Sequence, residues 1–387
     1  MRKTKVLFVV MNFHKAGTPR YLYEIDRALD VTKFEKHILS LAPLGNSAEF
    51  TDFYYELHRA LGTEIHFYRP SPFRRLRESI AYRTQNDRLR LDRSLLDLLR
   101  SFDVINWLGA HTIRQFPFSL PSDVVAKSLI HILSSRRQFY PDEGSDYKGL
   151  DPSKRYNFLS SFRTPAALKY ELGEFVNSEH TFFPIVMETS EMPSRWNFID
   201  RDVKRIGVFG RLDPMRPIDS FFGALNIVVN RLPNAELHIW GAGDPNQAGM
   251  LRRMRNFHVQ DRVFFRGHSD DITETALAEE LDLVWYQSFY GYPAGYAGYD
   301  ICLAGVPQIY WELLPDQLSD QVGQNHECYG RLDQFAEASI TLMENRGSAE
   351  ELSRRQIRKV KEEQDIVKWI PVIEDAFSRV AGGLNKY

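Results

Sequence analysis

The segment RIGVFGRLDPMR, residues 205–216, joins a short apolar run to a glycine and two arginines. A short apolar run that ends in glycine is typical of a buried strand in a parallel sheet. Pro217 follows the segment directly, and proline is preset for the first position of a helix. The segment therefore predicts a strand over residues 206–209, with Arg211 and Arg216 between its carboxyl end and a helix.

The position of these two arginines suits an anionic ligand. In an open α/β sheet, ligands bind beyond the carboxyl ends of the strands. Guanidinium groups and helix-terminal amides both bind phosphate well. We interpret the segment as a phosphate or diphosphate site. On spacing alone the alternative stays open that Arg211 and Arg216 are solvated loop residues.

The composition indicates a globular protein with more than one domain. The chain has 387 residues, of which 43% are hydrophobic and 26% charged, and its formal net charge is −2. At roughly 150 residues per domain, this length predicts two or three domains. The small net charge predicts no general attraction to nucleic acid. Cys302 and Cys328 form no disulfide framework and lack metal-ligand spacing, so we expect a cytoplasmic location.

Apolar strand patterns alternate with helical patterns along the chain, and no apolar run is long enough to span a membrane. Residues 180–204 lose this periodicity and gather Pro, Ser and Asp, which is typical of a linker. We therefore predict two doubly wound α/β domains with parallel sheets, 1–185 and 200–365, and a terminal helix in 366–387 that crosses back onto the first. A cleft between two such domains would bind the ligand. The strand candidates of the first half are KVLFVV (5–10), HILSLA (37–42), EIHFY (64–68), DVINWL (103–108), DVVAKSLIH (123–131) and GEFVNS (173–178).

Three histidines of the first half stand where an α/β site is expected. His14 shares the first βα loop with Gly17, whereas His111 and His131 end strand patterns. A glycine in that loop lets a ligand approach the backbone closely. A lone histidine is more often structural, so His131 is a candidate with the structural alternative left open.

The run GYPAGYAGY, residues 291–299, follows the last strong strand pattern. Its glycines and tyrosines predict a loop beside a ligand, before a helix over about residues 300–304. Asp300 near that helix N-terminus either complements the helix dipole or accepts hydrogen bonds from a ribose. Tyr292 and Tyr296 either line a nucleotide or sugar pocket or pack in the core.

An arginine-rich stretch, Arg69–Arg93, contains interspersed apolar residues. A basic amphipathic segment can lie on an anionic membrane or hold a phosphorylated acceptor. The alternative is a solvated helix face, which is common on soluble helices. We therefore expect a cytoplasmic protein with possible peripheral contact at the inner face of a membrane.

Taken in order, these segments resemble the retaining glycosyltransferases of family 4, which have the GT-B fold of two facing Rossmann-like domains. Most of the chain takes part in the resemblance. The matching pieces are AGTPR (16–20), SLIH (128–131), VNSEH (176–180), VFGRLDPMR (208–216), LHIWGAGD (237–244), VFFRGHSDD (263–271), LDLVWYQS (281–288) and GYDICLAGVPQ (298–308).

The resemblance implies a catalytic set of Arg211, Arg216 and His131. The two arginines would neutralise the donor diphosphate, with Arg216 in place of the family's usual lysine, and His131 would lie near the sugar. Two residues depart from the family's pair of glutamates: Tyr292 occupies the first position and Asp300 the second.

The resemblance also implies a set of donor-binding residues. Gly17 would lie against the diphosphate, and the segment around Gly267 and His268 would flank the base. The full set is Gly17, Gly210, Gly241, Gly267, His268, Tyr292, Gly295, Tyr296 and Asp300.

The implied activity is transfer of a sugar from a nucleotide diphosphate sugar, with uridine favoured as the base, to a glycan or lipid-linked acceptor with retention of configuration. No metal or other cofactor is expected, because the arginines would carry the diphosphate charge. An envelope polysaccharide pathway is the expected context. Two alternatives stay open: a catalytically silent nucleotide-sugar-binding subunit, which Tyr292 motivates, and a sugar-nucleotide 2-epimerase.

Overall fold

The chain divides into two compact units in the structure, which is a computed structural model. Unit 1 comprises Met1–Glu188 with Gln364–Tyr387, and unit 2 comprises Thr189–Glu363. No helix within the described residues combines the length and apolar character needed to cross a bilayer. The structure describes residues 2–45, 51–83, 91–109, 120–133, 154–161, 178–189, 194–210, 212, 218–246, 249–288, 295–312 and 328–383.

Unit 1 contains a seven-stranded parallel sheet in the order β3-β2-β1-β4-β5-β6-β7. The winding direction reverses between the neighbouring strands β1 and β4. This topological switch point marks where ligands bind in doubly wound folds. The strands are β1 (Thr4–Val10), β2 (Phe34–Ser40), β3 (Glu64–Phe67), β4 (Val104–Leu108), β5 (Ser128–Ile132), β6 (Asn157–Ser160) and β7 (Glu179–Phe182).

Helices alternate with the strands of this sheet along the first half of the chain. Apolar residues fill both faces of the central strands, and Val6, Leu7, Phe8 and Val9 of β1 are all fully buried, as expected for a parallel sheet covered on both sides. The helices described here are α1 (Gly17–Ala28), α2 (Phe53–Ala60), α3 (Pro72–Arg83), α4 (Arg93–Arg100) and α5 (Ser122–Val125).

Unit 2 contains a six-stranded parallel sheet in the order β10-β9-β8-β11-β12-β13, with its switch point between β8 and β11. The strands are β8 (Arg205–Phe209), β9 (Glu236–Trp240), β10 (Val263–Gly267), β11 (Leu283–Ser288), β12 (Gln308–Glu312) and β13 (Cys328–Tyr329). The helices are α6 (Asp219–Val229), α7 (Met250–Asn256), α8 (Ile272–Ala278), α9 (Tyr296–Ala304), α10 (Leu332–Glu344) and α11 (Arg346–Gln364).

Aromatic packing holds the core of unit 2 together. Trp285 of β11 packs against Phe221 of α6 and Phe335 of α10, with ring centroids 5.6 and 5.1 Å away, and these two rings also stack on each other at 5.9 Å. Its indole Nε1 donates a hydrogen bond of 3.0 Å to Ser339 Oγ, so the buried polar atom is satisfied. This packing holds the central strands in place, and their carboxyl ends form the edge of the sheet.

The last helix, α12 (Ile366–Ala381), belongs to unit 1. Asp365 caps it by accepting a hydrogen bond from Val367 N. Phe377 packs against Phe8 of β1 with ring centroids 5.9 Å apart. The helix continues through Pro371 without interruption. The C-terminal segment thus completes the core of the first sheet.

The predicted fold class is confirmed, because both halves form doubly wound parallel sheets. One predicted strand, DVVAKSLIH, was wrong in its first part: residues 122–125 form a helical turn, and the strand begins at Ser128. Pro121 immediately before that turn favours helix initiation, and this outweighs the β-branched pair that follows. The predicted strand GEFVNS lies almost wholly outside the described residues, and β7 begins just after it.

Candidate functional site

The carboxyl ends of β8, β9 and β10 are tied together by successive backbone hydrogen bonds. Gly210 N donates to Trp240 O at 2.9 Å, and Leu212 N donates to Ala242 O at 2.8 Å. Gly241 N, after β9, donates to Gly267 O at the end of β10 at 2.8 Å. The residues on either side of Arg211 are therefore anchored at the switch point of unit 2. This is the edge at which the sequence predicted a diphosphate site.

Gly243 makes this arrangement possible, although it is not among the residues predicted from the sequence. Its φ of +125° is one that side-chain-bearing residues rarely adopt, and a Cβ there would lie 2.6 Å from Leu212 O and 2.8 Å from Leu212 Cβ. Residue 243 must therefore be glycine for the segment at Leu212 to stay in place. The signal was present as the second glycine of LHIWGAGD.

We expect Gly243→Ala to destabilise unit 2 by about 1–3 kcal/mol, the usual cost of a strained backbone position. It should also weaken nucleotide binding if the segment around Leu212 binds diphosphate. Urea unfolding with a nucleotide titration measures both effects. Gly210→Ala is the stability control, because a Cβ at Gly210 would contact nothing within 4 Å. Equal stability of the two variants would contradict this role of Gly243.

Helix α9 follows β11 and begins at the same carboxyl edge of the sheet. Its N-cap, Gly295, has φ 64° and ψ −146°, a conformation essentially confined to glycine. The helix begins at Tyr296, about four residues before the predicted start at Asp300, so part of the predicted loop is helical. Tyr296 is buried and Asp300 lies half-buried in the second turn. The N-terminus of this helix carries the positive end of the helix dipole, which is suited to a phosphate.

A buried polar network fixes α9 against β12 and α11. The side-chain amide nitrogen of Gln308, Nε2, donates to Gly298 O at 2.8 Å and to Cys302 Sγ at 2.9 Å. Gln308 also exchanges two backbone hydrogen bonds of 3.1 and 2.7 Å with the side chain of Gln356. Burial raises the pKa of Cys302 to about 12, so this thiol is a core residue and not a nucleophile. Sequence spacing gave no signal for this network, since Gln356 lies 48 residues away.

The end of β10 presents the other predicted donor residues of unit 2. Gly267 is exposed with φ +78°, and a Cβ built on it would have no atom within 4 Å. His268 follows it with a side chain 67% exposed, and its Nε2 lies 3.6 Å from Asp270 Oδ1. Gly267 and His268 are thus accessible at the sheet edge where the resemblance places the base.

The switch point of unit 1 carries Gly17 and, at the end of β4, Gly109 with a positive φ of 83°. Gly17 is the first residue of α1 and is exposed, with no atom within 4 Å of a Cβ built on it. The amide of Gly109, at the end of β4, donates to His131 O at 3.2 Å. His111 lies outside the described residues. The helix N-terminus at Gly17 is therefore open to a ligand.

His131 lies near the carboxyl end of β5, with its ring buried. The residue is 1% exposed, stacks on Phe183 at 5.8 Å and meets the edge of Tyr21 at 5.4 Å. Burial lowers its pKa to about 3, so the ring is neutral at physiological pH. Neither ring nitrogen has a hydrogen-bond partner among the described residues, which is costly for a group that only packs. Its catalytic role stays a prediction.

Three of the predicted site residues, Arg211, Arg216 and Tyr292, lie outside the described residues. Their roles also stay predictions. Within unit 2, Gly210, Gly241 and Gly267 lie at strand ends along one edge of the sheet, Gly295 is the N-cap of α9, and Asp300 lies in the second turn of that helix.

Comparison with known proteins gives the fold. No protein-family profile matches the chain, and no curated protein sequence matches it. Solved structures do match. HepE of Anabaena in complex with UDP and glucose covers 97% of this chain and 99% of its own, at 14% identity and a TM-score of 0.65.

Two further structures agree. A mutant TarM of S. aureus in complex with fondaparinux, α-GlcNAc-glycerol and UDP covers 97% of this chain and 99% of its own, at 10% identity and a TM-score of 0.62. WaaG, a glycosyltransferase involved in lipopolysaccharide biosynthesis, covers 97% of this chain and 100% of its own, at 12% identity and a TM-score of 0.60. The chain therefore has the GT-B fold.

Proposed function

We propose that this protein transfers a sugar from a UDP-sugar to a hydroxyl of a glycan or lipid-linked acceptor, with retention at the anomeric carbon. The observation that carries the proposal is the switch point of unit 2. There backbone hydrogen bonds hold the carboxyl ends of β8, β9 and β10 together, and α9 begins at the same edge of the sheet. Uridine is favoured as the base because HepE, which shares the fold, was solved with UDP.

The proposed chemistry concentrates negative charge on the leaving diphosphate. As the bond from the anomeric carbon to the diphosphate oxygen breaks, the sugar acquires oxocarbenium character and the diphosphate takes up the electron pair. The acceptor hydroxyl attacks from the same face and gives its proton to the departing oxygen. Arg211, Arg216 and the first amides of α9 would stabilise that charge in fixed positions, so no metal is required. Asp300 would hold the ribose hydroxyls.

A thermal-shift panel tests the donor site directly. We expect UDP and one or more UDP-sugars to raise the melting temperature by several degrees, because a ligand at 100 times its Kd adds about 2.7 kcal/mol to folded-state stability. GDP and ADP serve as matched controls. The shift should persist in EDTA if the site needs no metal. No shift with any nucleotide would contradict the proposal.

Product analysis separates the alternatives. Nucleotide binding without product from any acceptor extract would favour the silent subunit that Tyr292 motivates. Conversion of the donor sugar to its epimer without an acceptor would favour the 2-epimerase.

The proposed lipid-linked acceptor receives support from helix α3. Phe73, Leu76 and Ile80 recur at helical spacing on this helix and are 69%, 58% and 52% exposed. Arg74 Nε donates a 2.6 Å hydrogen bond to Glu78 Oε1, which neutralises its charge, so Arg74 does not contribute to the exposed basic face. Exposed apolar residues beside exposed arginines are suited to an anionic membrane surface.

We expect the Phe73→Ser, Leu76→Ser double variant to lower binding to anionic phosphatidylglycerol vesicles at least tenfold, because each apolar side chain that moves from water into the membrane contributes about 1.5–3 kcal/mol. Flotation with anionic and with zwitterionic vesicles measures this. Val367→Ser is the matched control, since Val367 is 67% exposed on α12. Equal binding by both variants would identify α3 as a solvated face.

A further inference from the structure

Two histidines and a glutamate meet on the outer strands of the unit 1 sheet, away from the carboxyl ends that the proposed reaction uses. His37 of β2 is directly opposite Glu64, the first residue of the edge strand β3, and Leu39 is opposite His66. Residues two apart on a strand face the same way, so the three side chains lie on one face. The preceding residue of β2, Lys36, faces the other side.

The distances within this cluster match those of a tetrahedral metal site. His37 Nδ1 lies 3.2 Å from His66 Nε2 and 3.4 Å from Glu64 Oε2, and His66 Nε2 lies 3.6 Å from Glu64 Oε1. In a tetrahedral zinc site with bonds of about 2.0–2.1 Å, neighbouring ligand atoms lie about 3.3–3.4 Å apart. The Glu64 side chain is 64% exposed, so its carboxylate can turn to offer one oxygen to the shared position.

Neighbouring side chains orient the candidate ligands through hydrogen bonds and packing. His37 Nε2 donates a hydrogen bond of 3.0 Å to Glu35 Oε1, which leaves the Nδ1 lone pair directed into the cluster. Lys5 Nζ lies 3.1 Å from the same carboxylate oxygen and holds it in place. The edge of Phe102 packs against the ring of His37 at 4.9 Å and shields one side from water.

We propose that His37, Glu64 and His66 bind a zinc ion, with water in the fourth position. The ligand set of two imidazoles and one carboxylate suits zinc, and the ion would replace the close approach of two imidazole nitrogens by two metal bonds. His66 is 25% exposed, so the ion can enter from solvent. Among the described strands, β3 lies at the edge of the sheet and pairs with β2 alone, so the ion would fasten that edge.

Metal binding by the tag-free full-length chain tests this proposal. After removal of metal by chelation, titration with Zn²⁺ in competition with a chromophoric chelator should show one site. Co²⁺ should give the visible absorption of tetrahedral coordination, and saturating Zn²⁺ should raise the melting temperature by several degrees. Mg²⁺ should produce none of these effects, because it prefers oxygen ligands.

Variants locate the ion. We expect His66→Gln and Glu64→Gln each to weaken zinc binding at least tenfold, and both positions are accessible enough to be replaced without disturbing the core. His268→Gln, at an exposed histidine of unit 2, should keep the affinity of the original chain. Absence of a zinc site, or unchanged affinity in both cluster variants, would identify the cluster as a hydrogen-bonded histidine pair.

Discussion

Replacement of Arg211 by alanine is expected to reduce sugar transfer a hundredfold or more while the protein stays folded. The reason is electrostatic: removal of one fixed donor to a developing anion costs about 2.7–4 kcal/mol in comparable sites. The segment that carries Arg211 is anchored on both sides, by Gly210 N to Trp240 O and by Leu212 N to Ala242 O. A guanidinium on an anchored segment needs little reorganisation as the leaving group departs. Initial rates with UDP-sugar and acceptor extract measure the effect.

The controls for this prediction separate charge from fold. Arg231→Ala removes an exposed arginine of the same unit that pairs with Glu344 at 3.1 Å, and it should leave the rate unchanged. Arg211→Lys keeps the charge but loses the bidentate fork, so an intermediate rate is expected. An Arg211→Ala enzyme that turns over like the original chain would overturn the proposed donor site.

The fold could be predicted because its signals are local. Apolar runs such as those of β1 and β8 are buried on both faces of parallel sheets, and this produces a continuous hydrophobic pattern in the sequence. The errors also have local causes. The helical turn before Ser128 and the early start of α9 depend on Pro121 and on the unusual backbone of Gly295, which apolar periodicity does not report.

The candidate site was predictable only in part, because much of it depends on contacts between distant residues. The sequence indicated Gly210, Gly267 and Asp300 through motifs at strand and helix ends. It did not indicate that Gly243 leaves space for Leu212, or that Gln356 supports α9 through β12. Burial of His131 was equally invisible, since a histidine at a strand end has the same pattern whether its ring faces a ligand or the core.

A second large effect is expected in the core of unit 1, where Asp26 of α1 organises a buried polar network. Its carboxylate accepts hydrogen bonds from His58 Nδ1 at 2.6 Å and from Thr63 Oγ1 at 2.8 Å, and lies 2.8 Å from Lys36 Nζ. All four residues are buried. Burial alone would raise the pKa of Asp26, but the hydrogen bonds and charges of His58 and Lys36 outweigh it and lower that pKa.

We expect Asp26→Asn to destabilise unit 1 by about 3–5 kcal/mol, because it leaves the ammonium of Lys36 buried without its counter-ion. Hydrogen exchange by mass spectrometry should show faster exchange in unit 1 peptides and little change in unit 2. Asp123→Asn, which breaks an exposed ion pair with Arg100, is the control and should have little effect. Adding Lys36→Met to Asp26→Asn should recover part of the loss, since it removes the unpaired charge.

The pH dependence of folding stability tests the same prediction independently. A carboxylate whose pKa is lowered by folding contributes stability that is fully present above its unfolded value, about 4, and is lost as the pH falls through the folded value. The original chain should therefore lose stability more steeply than Asp26→Asn below about pH 4. Parallel acid-unfolding curves for the two proteins would show that the charge of Asp26 is not what stabilises this network. Convergence of the curves at low pH is the expected result, because protonation and the substitution remove the same negative charge.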